Sequence, residues 1–266
     1  MNTSPCSTHA TVLRKRKPLL TPGALAAAAS CLFLASGHAA SASLGEAASY
    51  GVLAADTITN AGTTIINGDV GLTPGTSITG FSPGSGVVNG SIIIGANAVQ
   101  AQLDAAEAYQ TLGLLMVTSD LTGEVLGTST TTLTAGVYNF DTSAQLTGIL
   151  TLDGPGEFIF LIGSTLTTAS ASSILLINGA NMADVYFNVG SSATLGTNSS
   201  FTGTILAQED ITATTGANIQ GRLLSLDGAV TLGTNIITVV PEPSLPLLAL
   251  PALTLLLLRR GRKQAA

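Results

Sequence analysis

The sequence predicts a mainly β fold, a β-solenoid with one α-helix packed alongside, and three observations point to it. The pentapeptide TLGTN occurs at Thr194–Asn198 and again at Thr231–Asn235, with the related TATTGAN at Thr212–Asn218 between them. Short β-branched runs broken by Gly and Asn fill most of the chain from residue 57 onward. A single stretch near residue 100 carries helical instead of alternating periodicity.

The repeats give the coil length. Superposing ATLGTNSSFTGTILA (193–207) on ITATTGANIQGRLLS (211–225) pairs Thr197 with Thr215, Gly203 with Gly221 and Ile205 with Leu223, and a further step brings Thr215 to Thr234. Units of this size suit one turn of a solenoid, in which each coil buries its inward side chains against its neighbours. Side chains alternate along a strand, so Leu195, Ala213 and Leu232 point inward and Thr194, Thr212 and Thr231 outward. Gly196, Thr214 and Gly233 fall on the outer side as well. Strict alternation turns Thr197, Thr215 and Thr234 inward, whereas a corner keeps them outside; the sequence leaves both readings open.

Earlier segments repeat the pattern less regularly. TITNAGTTIINGDVGLTPGTSITGF (57–81) and TTLTAGVYNFDTSAQLTGILTLDG (131–154) show strand-like runs separated by NG, PG and TG turn signals. GEFIFLIG (156–163) is apolar at consecutive positions, as a strand covered on both sides would be. From Asn97, read as an N-cap with Gln100 as its partner, a helix is predicted to about residue 112. Its stripe of Ala101, Ala105, Ala108, Leu112 and Met116 would cover one solenoid face.

The two ends differ from this middle. Residues 14–17 read Arg-Lys-Arg-Lys, followed by an apolar Ala/Leu-rich stretch and the small residues ASGHAASAS. That order marks residues 1–42 as a secretory signal peptide, cleaved near Ala40–Ala42. At the other end, Pro241-Glu242-Pro243 precedes an apolar run from Ser244 to Leu258 and then Arg259, Arg260, Arg262 and Lys263. The run is short for a transmembrane span, which needs roughly 20 residues. Residues 241–266 resemble the PEP-CTERM sorting signal of Gram-negative bacteria. The resemblance implies transient membrane anchoring, an exosortase-type processing protease as partner, and delivery to the cell surface or medium.

Between these ends, over 43–240, 14 acidic residues face one basic residue, Arg222, a formal charge of 1 − 14 = −13. Such a surface repels phosphate backbones, which excludes nucleic acid as a partner. The segment has no Cys, His, Lys or Trp, the cysteines being Cys6 and Cys31 and the histidines His9 and His38. Disulfides and thiolate or imidazole metal sites are thereby excluded, and no cofactor motif is found. GFSPG (80–84) has the form of a nucleophile elbow, but the residue after Ser82 is Pro83, which lacks the required N–H, and no histidine is available as base. Carboxylate pairs remain as acid/base candidates, Glu209 with Asp210 and Asp153 with Glu157. They are read as solvated turn residues, and the protein as not an enzyme.

The stretches LGEAASYGVLAADTITNAGTTIINGDVGLTPGTSITGF, TAGVYNF, GEFIFLIGSTLTT, VYFNVGSSATLGTNSSFTGTILA and GRLLSLDGAVTLGTN resemble the bacterial and fungal ice-binding-like family over residues 44–238. The resemblance implies an irregular right-handed β-solenoid of triangular section and adsorption to ice through a flat Thr-rich face bearing T-[A/G]-x-[T/N]. Carried onto this chain, that face comprises Thr194, Thr212, Thr214 and Thr231, with Thr165 and Thr167 of GEFIFLIGSTLTT. The segment 43–240 holds 31 Thr. Thr212-Ala213-Thr214-Thr215 fits the motif; the two TLGT copies place Leu second and Gly third, which opens gaps in the outer grid. The partner implied is ice or ordered water, with extracellular polysaccharide for the alternative reading as a surface adhesin, and the protein is expected to be monomeric.

Overall fold

The structure, a computed structural model, describes residues 42–81 and 85–239. The signal-peptide reading (apart from Ala42), the sorting tail and Ser82 lie outside the described residues.

Nearly every strand pairs in parallel with one before or after it in a stack of coils. An eight-stranded sheet forms one face. A thirteen-stranded sheet forms the other two, because its longer strands turn a corner and continue. Ile149–Ile162, for example, pairs Ile149–Asp153 with Ser173–Ile177 and Phe158–Ile162 with Val185–Val189. The bend between falls at Gly154 and Gly156, both at positive φ. The coil offsets read from the repeats are those observed: Thr194 pairs with Thr212, Thr212 with Thr231, and Gly203 with Gly221. The two glycines have a physical cause. At Gly221, φ is +151° and a Cβ would stand 1.9 Å from the Gly203 carbonyl oxygen, so the corner closes only without a side chain.

The order of coils in space is not their order in the chain. Thr57–Asn60 opens the second coil, and Ser77–Thr79, Val87–Val88 and Ile92–Ile94 form the outermost coil beyond it. The helix Val99–Gly113 follows, and Ser119–Asp120 and Val125–Leu126 begin the coil at the opposite end. Successive coils then stack back until Val230–Leu232 lies beside Thr57–Asn60. The chain closes on its own start.

The interior is filled by inward residues of successive coils. Leu195, Ile205, Ala213, Leu223 and Leu232 are buried. Tyr138, Phe160, Phe187 and Phe201 stack coil over coil, with centroid separations of 5.6, 4.5 and 4.8 Å. A second apolar layer lies between the third face and the helix, where Leu53, Ile159, Tyr186, Leu206 and Leu224 meet Ala101, Ala105, Ala108 and Leu112. Small alanines let the helix axis approach the sheet. Gln102 Nε2 donates to the carbonyls of Ser225 and Leu226, and Asn188 Nδ2 to that of Tyr109, fixing the helix along its length. The single basic residue of the region, Arg222, is buried, its Nε donating to Ala48 O at 2.8 Å. The formal charge left on the described surface is therefore entirely negative.

Two expectations for the helix are corrected. The α-helix starts at Val99 after a 3₁₀ turn, Gly95–Ala98, so Asn97 is inside that turn and the N-cap, Ala98, makes no side-chain cap bond. The stripe ends at Leu112 because the helix stops at Gly113, and Met116 is 89% exposed. Thr197, Thr215 and Thr234 are exposed at turns, which decides for the corner reading.

The alternation has a sharp energetic consequence. Leu232→Asp buries a carboxylate where nothing pairs with it and should cost several kcal/mol, enough to unfold a domain of ordinary stability. Thr231→Asp, one residue away and exposed, should change stability by less than about 1 kcal/mol. Thermal melts of the two variants check this, and equal shifts would contradict the assigned faces.

Candidate functional site

The eight-stranded face owes its form to strands of two to four residues, each contributing an outward side chain to a common column. The register joins Thr79 to Thr59, Thr59 to Thr231, Thr231 to Thr212, Thr212 to Thr194 and Thr194 to Thr167. Six threonines on consecutive coils thus form one unbroken column. Adjacent strands lie about 4.8 Å apart, so the column runs about 24 Å. Beneath it Ile58, Val230, Ile211, Ala193 and Leu166 are buried, which holds the strand backbones at a common height. Beyond Thr167 the column ends in Gln145 and Val125.

Two residues earlier on each coil runs a second outer row. It contains Ser77 paired with Thr57, then Ala229, Asp210, Ser192, Thr165 and Ser143. Ser143 and Thr165 share a hydroxyl–hydroxyl bond of 2.8 Å. Asp210 interrupts the row's run of small neutral groups, its Oδ1 accepting from Ala229 N at 2.8 Å. On the other side of the column, the gaps foreseen at Gly196 and Gly233 are present. Thr214 between them is half-buried; its hydroxyl donates to Leu195 O at 2.7 Å and lies 3.3 Å from the Thr197 hydroxyl. Of the sequence-derived residues, then, Thr167, Thr194, Thr212 and Thr231 share the central column. Thr165 sits beside it, and Thr214 is engaged as a turn bond.

Thr59 and Thr79 escaped the sequence reading, and each is an exposed outward residue of its strand. The signal available was the pair TIT (57–59) and SIT (77–79), with the same inward Ile between outward hydroxyls. It was hidden because these coils precede the TLGTN repeats in the chain yet stack after them in space.

Three of the four paired carboxylates are held by residues of neighbouring coils. Glu209 Oε2 accepts from Ser191 Oγ at 3.0 Å while Asp210 faces Ala229 N. Asp153 Oδ1 accepts from Asn178 Nδ2 at 2.6 Å on a different corner. These groups act as ties between neighbouring coils. Among the described residues, no group of three or more His, Cys, Asp or Glu side chains is placed to hold a metal ion.

A model of the ice-binding-like family matches residues 52–238. The chain belongs to that family. It is 48% identical over 238 residues to an ice-binding protein of Nostoc sp. (strain HG1), covering 83% of this chain and 87% of that one. It is 32% identical over 228 residues to ice-binding protein 1 of Shewanella frigidimarina, 73% of this chain and 26% of that longer one. Among solved structures, an ice-binding protein from the Antarctic ascomycete Antarctomyces psychrotrophicus superposes with a TM-score of 0.71 at 44% identity, covering 74% of this chain and 98% of that one. An ice-binding protein from an Antarctic biological consortium gives 0.70 at 37% identity, covering 86% and 96%.

The tie at Asp210 is open to test. Asp210→Ala should lower stability by about 1 kcal/mol through loss of the bond to Ala229 N, and Asp210→Asn, which keeps an acceptor oxygen, by less. Denaturant unfolding of both variants distinguishes a bonded carboxylate from a free one, for which the two substitutions would be alike.

Proposed function

We propose that this chain is an ice-binding protein that adsorbs to ice through the Thr79–Thr59–Thr231–Thr212–Thr194–Thr167 column. The observation that carries this reading is the unbroken in-register line of six threonines on one continuous parallel sheet. Each residue offers one hydroxyl and one methyl at a fixed spacing set by the coil stack. Hydroxyls anchor water molecules while methyls leave them few competing partners, so water over the column adopts the spacing of the protein beneath it. Affinity then grows with matched area and owes little to charge. A domain whose net charge is strongly negative would gain nothing from electrostatic attraction to a neutral lattice. Ser77, Thr57, Ser192, Thr165 and Ser143 widen the surface, whereas Asp210 and the gaps at Gly196 and Gly233 bound it, which fits modest activity.

The same proposal places the protein outside the cytoplasm, secreted by residues 1–42 and held transiently by the Pro241-Glu242-Pro243 tail until an exosortase-type protease releases it. The basic cluster of Arg259 and Arg260 would keep the tail's end cytoplasmic. Among the described residues no helix is long and apolar enough to cross a membrane.

Thermal hysteresis and recrystallisation assays decide the matter. Thr212→Tyr at the middle of the column and Thr59→Tyr on the coil added by the chain's closure should each abolish both activities. Neither should move the melting free energy by more than about 0.5 kcal/mol, since both side chains lie on the outer side of the sheet. Ile65→Tyr, on the second face, should leave activity unchanged. Full activity in both threonine variants would contradict the proposed face.

A further inference from the structure

The two ends of the solenoid are finished differently. At one end Leu126 is 0% exposed, because the following turn folds over it: Gly127 N donates to Thr130 O and Leu126 bridges to Thr130. That end also carries Asp120, Glu124 and Asp141, beside the exposed Leu114, Met116 and Val117. The carboxyl of Asp120 is held below the usual carboxylate range by the hydroxyl and backbone N–H of Thr122, so it stays ionised. Solenoids normally end in such a polar cap.

Among the described residues the opposite end has no equivalent. Ser77–Thr79, Val87–Val88 and Ile92–Ile94 each pair on one side only, leaving three edges with open backbone groups. Their register with Ile58, Ile66, Val70 and Leu72 directs Ile78, Val88, Ile92 and Ile94 toward the core, but among the described residues no further coil covers them. Ile92 is 47% and Ile94 43% exposed as a result. Natural edge strands are usually protected by charge. Here no Asp, Glu, Lys or Arg occurs between Asp69 and Asp104, in a region that otherwise carries a charge of −13.

We propose that this open end is an interaction surface for a second copy of the same chain, joined end to end about a two-fold axis. The charge distribution selects the partner and the orientation. Two acidic domains can approach closely only through a neutral surface, and open end against closed end would set exposed isoleucines on carboxylates. An isologous contact of open end with open end remains, and it closes at two copies instead of growing into a filament. A two-fold axis normal to the threonine face runs the edge strands antiparallel. It sets Ser77–Thr79 against its own copy and Val87–Val88 against Ile92–Ile94 of the other chain. The inward apolar side chains of both copies then cover each other. Both threonine columns lie in one plane and meet at their Thr79 ends, doubling the length of the flat face. This departs from the monomer expected from sequence alone.

The contact is the cross-section of one coil, well under the roughly 800 Å² per partner of a standard interface, so association is weak. Sedimentation velocity of the full chain in density-matched detergent, from about 10 μM to about 1 mM, should show a monomer–dimer shift with concentration, the range a contact of this size supports. The double variant Val87→Lys/Ile94→Lys should remain monomeric throughout, and Leu114→Lys/Met116→Lys at the other end should dimerise as the parent does. If circular dichroism shows that the double variant does not fold, Val87→Lys alone, at a side chain already 49% exposed, makes the same test. Absence of any concentration dependence, or a dimer that survives the open-end charges, overturns the proposal. The association itself is independent of ice; only the doubled face rests on the proposed function. A dimer without hysteresis would sink that function alone, and hysteresis without a dimer would sink this inference alone.

Discussion

Everything in this fold depends on one constraint, that each coil must set its inward side chains directly over those of its neighbour while the backbone ladder stays in register. A slip of one residue in any strand would turn its buried set to solvent. Because the constraint fixes inward residues, it fixes outward ones too. With Val230 and Leu232 held against Ile58 and Asn60 beneath the sheet, Thr231 and Thr59 have no choice but to stand side by side above it. The threonine column is thus a by-product of core packing, and its regularity costs no interactions of its own. The same requirement places Gly203 and Gly221 at the corner and leaves room for an alanine-faced helix along the third side.

Much of this was legible in the sequence. TLGTN and TATTGAN gave the coil length and the inward and outward sets because those coils are consecutive in both chain and space. The helical stripe from Ala101 to Leu112 was equally plain, since apolar residues recurring every three or four positions mark one face of a helix. The omissions share a cause. Thr59 joins Thr231, and Ile65 joins Ile236, only after the chain has travelled the whole solenoid and returned, and local pattern carries no trace of that closure. Asn97 looked like a cap, but a 3₁₀ turn intervenes. Met116 fitted the helical period, but the helix had ended. Thr214 fitted the outward set, yet its hydroxyl had a nearer acceptor in the Leu195 carbonyl. In each of these three, a correct local preference lost to a neighbour that the sequence does not display.

Charge is arranged around the same frame. The lone cation of the region, Arg222, is buried where it ties the 3₁₀ turn Gly45–Ser49 through Ala48, and Glu209, Asp210 and Asp153 are held by Ser191, Ala229 N and Asn178. The central threonine column contains no charge at all. A surface meant for a neutral, hydrogen-bonded lattice is best served by that separation, since an ionised group would hold water in its own geometry instead of the lattice's. Asp210, one row aside, is the nearest exception, and its bond to Ala229 N turns one of its oxygens down toward the sheet.

The most direct measurement is a high-resolution crystal structure with its ordered water resolved. If the column is the ice-binding surface, well-ordered waters should form a file beside the hydroxyls from Thr79 to Thr167 at the coil spacing of about 4.8 Å. Disordered water over those threonines, with an ordered file instead above the Val87–Ile65–Ile236 row of the second face, would contradict it.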